Sequence, residues 1–169
     1  MSRVFVGIGS NEGHPLDNIS RAIGLLALQP KVRVVQMAPI YETAPVGGPP
    51  QDDFLNTVVE VDTDLSPEQL LQATQEIERR MGRTTPGVRW GPRPIDLDIL
   101  LYDDRTVHAD SLMIPHAMLH RRRFVLEPLM QLAPQLIHPV LRQTIAELFA
   151  QLPEAAPAPA GGDATSSGS

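Results

Sequence analysis

A chain that contains Ile95-Asp96-Leu97-Asp98-Ile99-Leu100-Leu101-Tyr102 has few ways to fold. Ile95, Leu97, Ile99 and Leu101 alternate with Asp96, Asp98, Leu100 and Tyr102, and a period of two marks a β-strand whose faces meet different surroundings. One face is apolar enough to enter a core, and the other carries two carboxylates. Asp96 and Asp98 project from the same face, with Cα atoms roughly 6.5–7 Å apart at a rise near 3.3 Å per residue. Asp is a poor strand former, and such a conflict between local propensity and fold tends to sit at functional sites. A surface strand with an acidic outer face is the plain alternative.

The residues before the strand favour chemistry. Arg89 and Arg93 flank the turn Trp90-Gly91-Pro92, so guanidinium groups arrive beside the carboxylates. Arginine matches phosphate oxygens with two parallel hydrogen bonds. Two carboxylates at this spacing can hold a pair of hard cations about 3.5–4 Å apart. Carboxylates, Mg²⁺ and arginine together form the usual apparatus of phosphoryl transfer, in which positioning and charge neutralisation do most of the catalysis.

The rest of the chain alternates strand and helix patterns. Arg3–Gly9 reads as a strand with Val4, Val6 and Ile8 on one face, and Ser10-Asn11-Glu12-Gly13 as a turn. Gly7 and Gly9 do not open a dinucleotide fingerprint, because the third glycine is misplaced, and no Walker A sequence occurs. A kinase activity would therefore need a site of another kind. A helix is expected from Pro15 to about Leu28, with Leu16, Ile19, Ile23 and Leu26 as its core stripe. A second strand is expected over 32–40, and 41–50 is too rich in Pro and Gly for regular structure. A third strand follows over 53–61, with Phe54, Asn56, Val58 and Glu60 sharing a face. Ser66, Pro67 and Gln69 signal the start of a second helix through a capping box, and Gly82 its end. Later elements are a short strand over 106–108, a helix over 123–132 with Phe124, Leu126 or Glu127, and Met130 near one face, and a last helix over 144–152. The order β-α-β-β-α-β followed by helices predicts an α+β fold: a ferredoxin-like antiparallel sheet with packed helices, in a single domain over residues 1–152. Residues 153–169 are rich in Pro, Ala, Gly and Ser without periodicity, and are expected to form a disordered tail.

Charge and composition exclude several classes. The formal net charge is −6, which argues against a general nucleic-acid binder. Lys31 is the single lysine among 14 basic residues, and most of the arginines fall between Arg79 and Arg123. Clustered arginine in an acidic protein suggests a focused anion site, with Arg79 and Arg80 better read as a solvated helix face. Cysteine is absent, so disulfides and thiolate metal sites are excluded, and no spacing of histidines makes a zinc site. No apolar run is long enough for a membrane span, and the N-terminus lacks a signal-peptide pattern. A cytoplasmic protein is expected, with no nucleic-acid or membrane partner.

The pattern Arg89-Trp90-Gly91-Pro92-Arg93-x-x-Asp96-Leu97-Asp98-Ile99-Leu100 resembles the signature of the 6-hydroxymethyl-7,8-dihydropterin pyrophosphokinase family of folate biosynthesis, and matches it throughout. The resemblance extends over roughly residues 3–152. It implies the same fold, and transfer of pyrophosphate from ATP to the hydroxymethyl group of the pterin with release of AMP. It implies Mg²⁺, two ions held by Asp96 and Asp98, with Arg83, Arg93, Asp96 and Asp98 as the catalytic set. It gives the pterin ring to Thr43, Pro45, Val46, Phe54, Asn56, Trp90 and Phe124, with Phe54 and Phe124 on its two faces. It gives ATP to Leu71, Gln75, Glu78, Arg89, Trp90, Arg93, Ile99, His116 and Arg122. The partners are then the two substrates, and a monomer is expected. Relatives can carry Tyr in place of Phe54, a change that stacking survives. They can also carry further basic residues in place of Thr85 and Pro86, so this loop's share in holding triphosphate is altered here. Arg121 and Arg123 are read as solvated, and His14, His108, His120 and His138 as structural. Two alternatives stay open: a metal-dependent phosphohydrolase, which would need the acidic pair but not Phe54, Asn56 and Phe124, and a ligand-binding module without turnover.

Overall fold

The structure, a computed structural model, describes residues 1–44, 50–82 and 94–153. Its strands are β1 (Ser2–Ser10), β2 (Val32–Met37), β3 (Tyr41–Thr43), β4 (Phe54–Thr63), β5 (Asp96–Tyr102), β6 (Val107–Ala109) and β7 (Leu112–Ile114). Its helices are α1 (Pro15–Ala27), α2 (Pro67–Arg80), α3 (Arg123–Leu132) and α4 (Ile145–Ala150), with a 3-10 turn at Leu119–Arg121. The main sheet is antiparallel in the order β2-β4-β1-β5, with β3 also paired to β4. β4 lies between β1 and β2, and β1 between β4 and β5. The two β-α-β units therefore interlock, as the expected ferredoxin-like α+β fold requires. β6 and β7 form a separate hairpin.

The pleat divides the core in two. Val4, Val6 and Ile8 of β1, Val59 and Val61 of β4, and Leu97 and Ile99 of β5 face α1 and α2, which supply Ile19, Ala22, Leu26, Leu70 and Ile77. Phe5, Val58, Leu100 and Leu101 face the other way, against Val125, Leu126 and Leu129 of α3 and Ile145 and Leu148 of α4. Each fully buried side chain of this size contributes about 1.5–3 kcal/mol through removal from water.

Local chemistry explains the helix ends. Ser66 Oγ accepts from the Gln69 N–H at 3.2 Å and Gln69 Oε1 accepts from the Ser66 N–H at 2.9 Å, the expected capping box at the head of α2. Gly82, at φ +100, follows the end of α2 in a conformation that L side chains rarely adopt. Thr144 and Glu147 form a second capping box at the head of α4.

Several expectations change. Strict alternation in the acidic strand breaks at Leu100. Phe5 pairs with Leu101 and Val6 with Ile99, so Leu100 is the extra residue of a bulge. Leu100 and Leu101 both turn to α3 and α4, and Tyr102 joins the α1/α2 side, where its hydroxyl donates to the Leu65 carbonyl. Asp96 and Asp98 precede the bulge and keep their shared face. Tyr41–Thr43, expected to be irregular, is a strand, because β4 offers these residues its free edge beyond β2. Leu16 is 55% exposed, and Ala22 takes its place in the buried stripe of α1. α3 buries Leu126 as expected, together with Val125 and Leu129, while Phe124 and Met130 pack against the same core half-buried. Arg123, expected to be solvated, lies 4.9 Å from the Phe149 ring centroid and donates to the Pro153 carbonyl at 3.1 Å. The tail expected after Pro153 lies outside the described residues.

Candidate active site

The α3/α4 face of the sheet is covered only in part. Where α3 and α4 stop, β1 carries Gly7 and Gly9, and β5 carries Asp98 and Asp96 directly across from them. A cavity of about 150 Å³ opens there. Gly7, Gly9, Val58 and Leu100 contribute its floor, β3 and β4 bring Thr43, Phe54 and Asn56, β5 brings Asp96 and Asp98, and the start of α3 brings Arg122, Phe124 and Val125.

Register explains the convergence. Phe54, Asn56 and Val58 alternate onto one face of β4, and Val58 is packed against α3 and α4, so all three point to the cavity side. Thr43 pairs with Phe54, and Asn56 Nδ2 donates to Thr43 Oγ1 at 2.6 Å. The amide is 8% exposed, so its orientation is held. Asp96 is half-buried and Asp98 exposed at the mouth. Arg122 precedes the first turn of α3, and its guanidinium lies 5.5 Å from the centroid of the Phe124 ring. Tyr41, at the start of β3, has its hydroxyl pushed up from the ordinary phenol range by burial and by the Glu127 carboxylate.

Thr43, Phe54, Asn56, Asp96, Asp98, Arg122 and Phe124 therefore meet at one cavity. Other expected residues stand apart from its lining. Ile99 points into the α1/α2 core, on the far face from the aspartates, and Leu71 packs against the same core. Gln75 is exposed on α2. Glu78 reaches β5 by its carboxylate, which accepts from the Leu97 N–H at 2.8 Å, between the two aspartates in sequence. His116 binds the outer edge of β5: its N–H donates to the Leu100 carbonyl at 2.9 Å, while its Nδ1 accepts from the Met118 N–H at 3.4 Å. Pro45, Val46, Arg83, Arg89, Trp90 and Arg93 lie outside the described residues. His138, read as structural, is buried, with Nδ1 accepting from the Val140 and Leu141 N–H groups; burial and neighbouring His120 hold it below the usual imidazole range.

The sequence reading missed Ser10 and Asn11, which it treated as a simple turn. Both are buried. Ser10 Oγ donates to the Pro94 carbonyl at 2.6 Å, just ahead of the acidic strand. Asn11 Nδ2 donates to Gln51 Oε1 at 2.7 Å and to the Asp52 carbonyl at 3.0 Å, just ahead of β4. The end of β1 thus fastens the chain on both sides of the cavity. The only trace in the sequence was a polar pair placed directly after a strand.

The donor set suits one kind of cation. Two carboxylates share a face, and among the described residues no third His, Asp or Glu completes a closed cage. Magnesium is commonly held by one or two carboxylates plus substrate phosphates, whereas structural zinc wants four protein ligands. Asp96 and Asp98 fit the first pattern.

An open acidic corner, an arginine and two aromatic rings meet around one small cavity of a ferredoxin-like α+β fold. The comparisons with known proteins are specific. The model of the family "7,8-dihydro-6-hydroxymethylpterin-pyrophosphokinase (HPPK)" matches residues 5–134. A 2-amino-4-hydroxy-6-hydroxymethyldihydropteridine pyrophosphokinase of Methylorubrum extorquens is 40% identical over 152 residues, covering 90% of this chain and 94% of that one. The enzyme of the same name from Bacillus subtilis is 43% identical over 131 residues, 78% of each chain. The folic acid synthesis protein fol1 of Schizosaccharomyces pombe is 42% identical over 149 residues, and this chain spans 20% of its length. The crystal structure of Plasmodium falciparum HPPK-DHPS with pteroate superposes with a TM-score of 0.71 at 17% identity, over 89% of this chain and 42% of that one, a likeness of fold. This chain belongs to the 7,8-dihydro-6-hydroxymethylpterin-pyrophosphokinase family.

Proposed function

We propose that this chain transfers the pyrophosphoryl group of ATP to the hydroxymethyl oxygen of 6-hydroxymethyl-7,8-dihydropterin, releasing AMP, as a step of folate biosynthesis. The observation that carries the proposal is the shared cavity: Phe54, Asn56 and Phe124 border the same small space as Asp96, Asp98 and Arg122. A phosphohydrolase needs the second trio and has no use for the first.

The pterin ring lies between Phe54 and Phe124, with Thr43, Asn56 and backbone groups around Pro45 and Val46 reading its edge, and Trp90 beside it. Aromatic faces serve the π-system, while a few polar groups fix the orientation. ATP lies against the α2 side, with Leu71, Gln75, Glu78, Arg89 and Trp90 toward the nucleoside and His116, Arg122 and Arg93 toward the phosphates. Asp96 and Asp98 hold Mg²⁺, two ions on this proposal, which when bound neutralise the triphosphate and fix its bend. The pterin hydroxyl oxygen forms a bond to the β-phosphorus while the bond from that phosphorus to the α,β-bridging oxygen breaks. Asp98 orients the hydroxyl, whose proton leaves to solvent, and no strong base is required where alignment dominates. Arg83 and Arg93 stabilise the charge that develops in the transition state. A monomer and a cytoplasmic location belong to the same proposal. Among the described residues no helix is long and apolar enough to cross a membrane.

The test is conversion of ATP to AMP with Mg²⁺, with and without the pterin. AMP formed only when the pterin is present supports the proposal. ATP consumed equally in its absence would mean a hydrolase, and no turnover at all would mean a binding module.

A further inference from the structure

Gly9 faces Asn56 across the β1/β4 pair and Asp96 across the β1/β5 pair. Directly opposed residues of an antiparallel pair place their Cβ atoms about 4.5–5.5 Å apart, so their side chains usually stand side by side. Here the arrangement differs. A Cβ built on Gly9 would lie 2.8 Å from Asn56 Oδ1, closer than real Cβ atoms come to any neighbour. The amide therefore leans over the bare glycine, while its other end donates Nδ2 to Thr43 Oγ1 at 2.6 Å. It spans β4 from β3 to β1, held at one end by a hydrogen bond and given room at the other by a missing side chain. Asn56 is 8% exposed, so it has little space to swing elsewhere without giving up Thr43. Gly7 is not equivalent, since a Cβ there would first meet the flexible end of Leu100, at 3.4 Å, an ordinary contact.

We infer that Gly9 is a positioning residue for the pterin. Its lack of a side chain lets the Asn56 amide keep Thr43 while its oxygen faces the cavity as an acceptor for a ring N–H. The inference rests on the proposed function, since it assigns Gly9 a part in binding that substrate. A methyl group on Gly9 would meet the Asn56 amide oxygen first, with the Leu55 carbonyl oxygen next at 3.7 Å.

The experiment is a double-mutant cycle with Gly9→Ala, Asn56→Ala and the two together, read by calorimetric binding of the pterin and by kinetics of AMP formation. Gly24→Ala, in α1 where a Cβ meets nothing, is the control for a glycine replaced at large. Gly9→Ala should raise the pterin Kd and KM by about tenfold or more, leave the KM for ATP within about twofold, and lower kcat far less than it raises the pterin KM. In the Asn56→Ala background the same change should add less than about twofold, because the clash no longer exists. The inference is overturned if Gly9→Ala binds pterin normally, or if it weakens binding by the same factor with Asn56 already removed. Should Gly9→Ala fail to fold, the double variant decides: recovery of folding supports the clash with Asn56, and continued misfolding refutes it. A wild-type chain that neither binds nor turns over the pterin overturns the proposed function itself, whereas a normal wild type beside a normal Gly9→Ala overturns this inference alone.

Discussion

The two halves of one sheet face differ more than the two faces of the sheet do. Toward α3 and α4, β1 offers Phe5 and β5 offers Leu101, with Val58 and Leu100 at the border, and the surface is sealed. A few residues along the same strands, β1 offers Gly7 and Gly9, β4 offers Asn56, and β5 offers Asp98 and Asp96, and the surface opens into a cavity. The secondary structure is the same in both halves. What differs is side-chain volume and polarity at alternate positions, so one sheet serves as a core wall at one end and as the floor of the cavity at the other. Each strand makes the change within two or three residues, which places the site directly beside well-packed structure and holds its groups rigidly.

That contrast can be broken from either side. The largest effect should come from the open half. Asp98→Ala should lower turnover by about 10³-fold or more, roughly 4 kcal/mol of transition-state stabilisation. The exposed side chain is a poor strand former, so thermal unfolding should shift little. An AMP assay beside a melting curve checks both, and near-normal turnover would remove Asp98 from the metal role. In the closed half, Leu126→Ala should cost about 2–5 kcal/mol of stability through a cavity under α3. Folded protein should keep most of its pterin affinity. Denaturant unfolding and calorimetry separate these, and a loss of affinity with unchanged stability would mean that the two halves are not independent.

The smallest effect concerns Glu60, which shares the site-side face of β4 but sits at the closed end. Its carboxylate accepts from Arg3 Nε at 2.8 Å and from Gln36 Nε2 at 2.7 Å. Burial acts to raise its pKa, but the hydrogen bonds and charge supplied by Arg3 and Gln36 outweigh it and hold the group below the usual carboxylate value of 4.5. A folded-state pKa below the unfolded one contributes stability above the unfolded value, and that stability is lost as pH falls through the folded value. Wild-type stability should therefore fall on acidification below about 4.5, and Glu60→Gln should flatten part of that limb. Melting temperatures measured from neutral to acid pH give the answer. Parallel acid limbs in both proteins would mean that Glu60 has no such role.

Much of this was legible in the sequence. The order of strands and helices, the capping box at Ser66, and the shared face of Asp96 and Asp98 follow from period, propensity and short-range chemistry, and the signature over Arg89–Leu100 from its resemblance to a family. These are local properties, and local properties survive without knowledge of the fold. The tertiary structure decided what depends on a neighbour across the sheet. The bulge at Leu100 exists because Phe5 and Val6 set the register opposite it. Tyr41–Thr43 is a strand because β4 has a free edge there, although the prolines and glycines of 41–50 predicted irregular chain. Ser10 and Asn11 became anchors because Pro94, Gln51 and Asp52, far away in sequence, supply acceptors for them. Gly9, dismissed as a failed fingerprint glycine, matters because Asn56 occupies the space its side chain would have filled. The chain alone could announce two aspartates and an arginine-rich approach to them. Only packing could show which empty space they look into, since a void is defined by residues that never meet along the sequence.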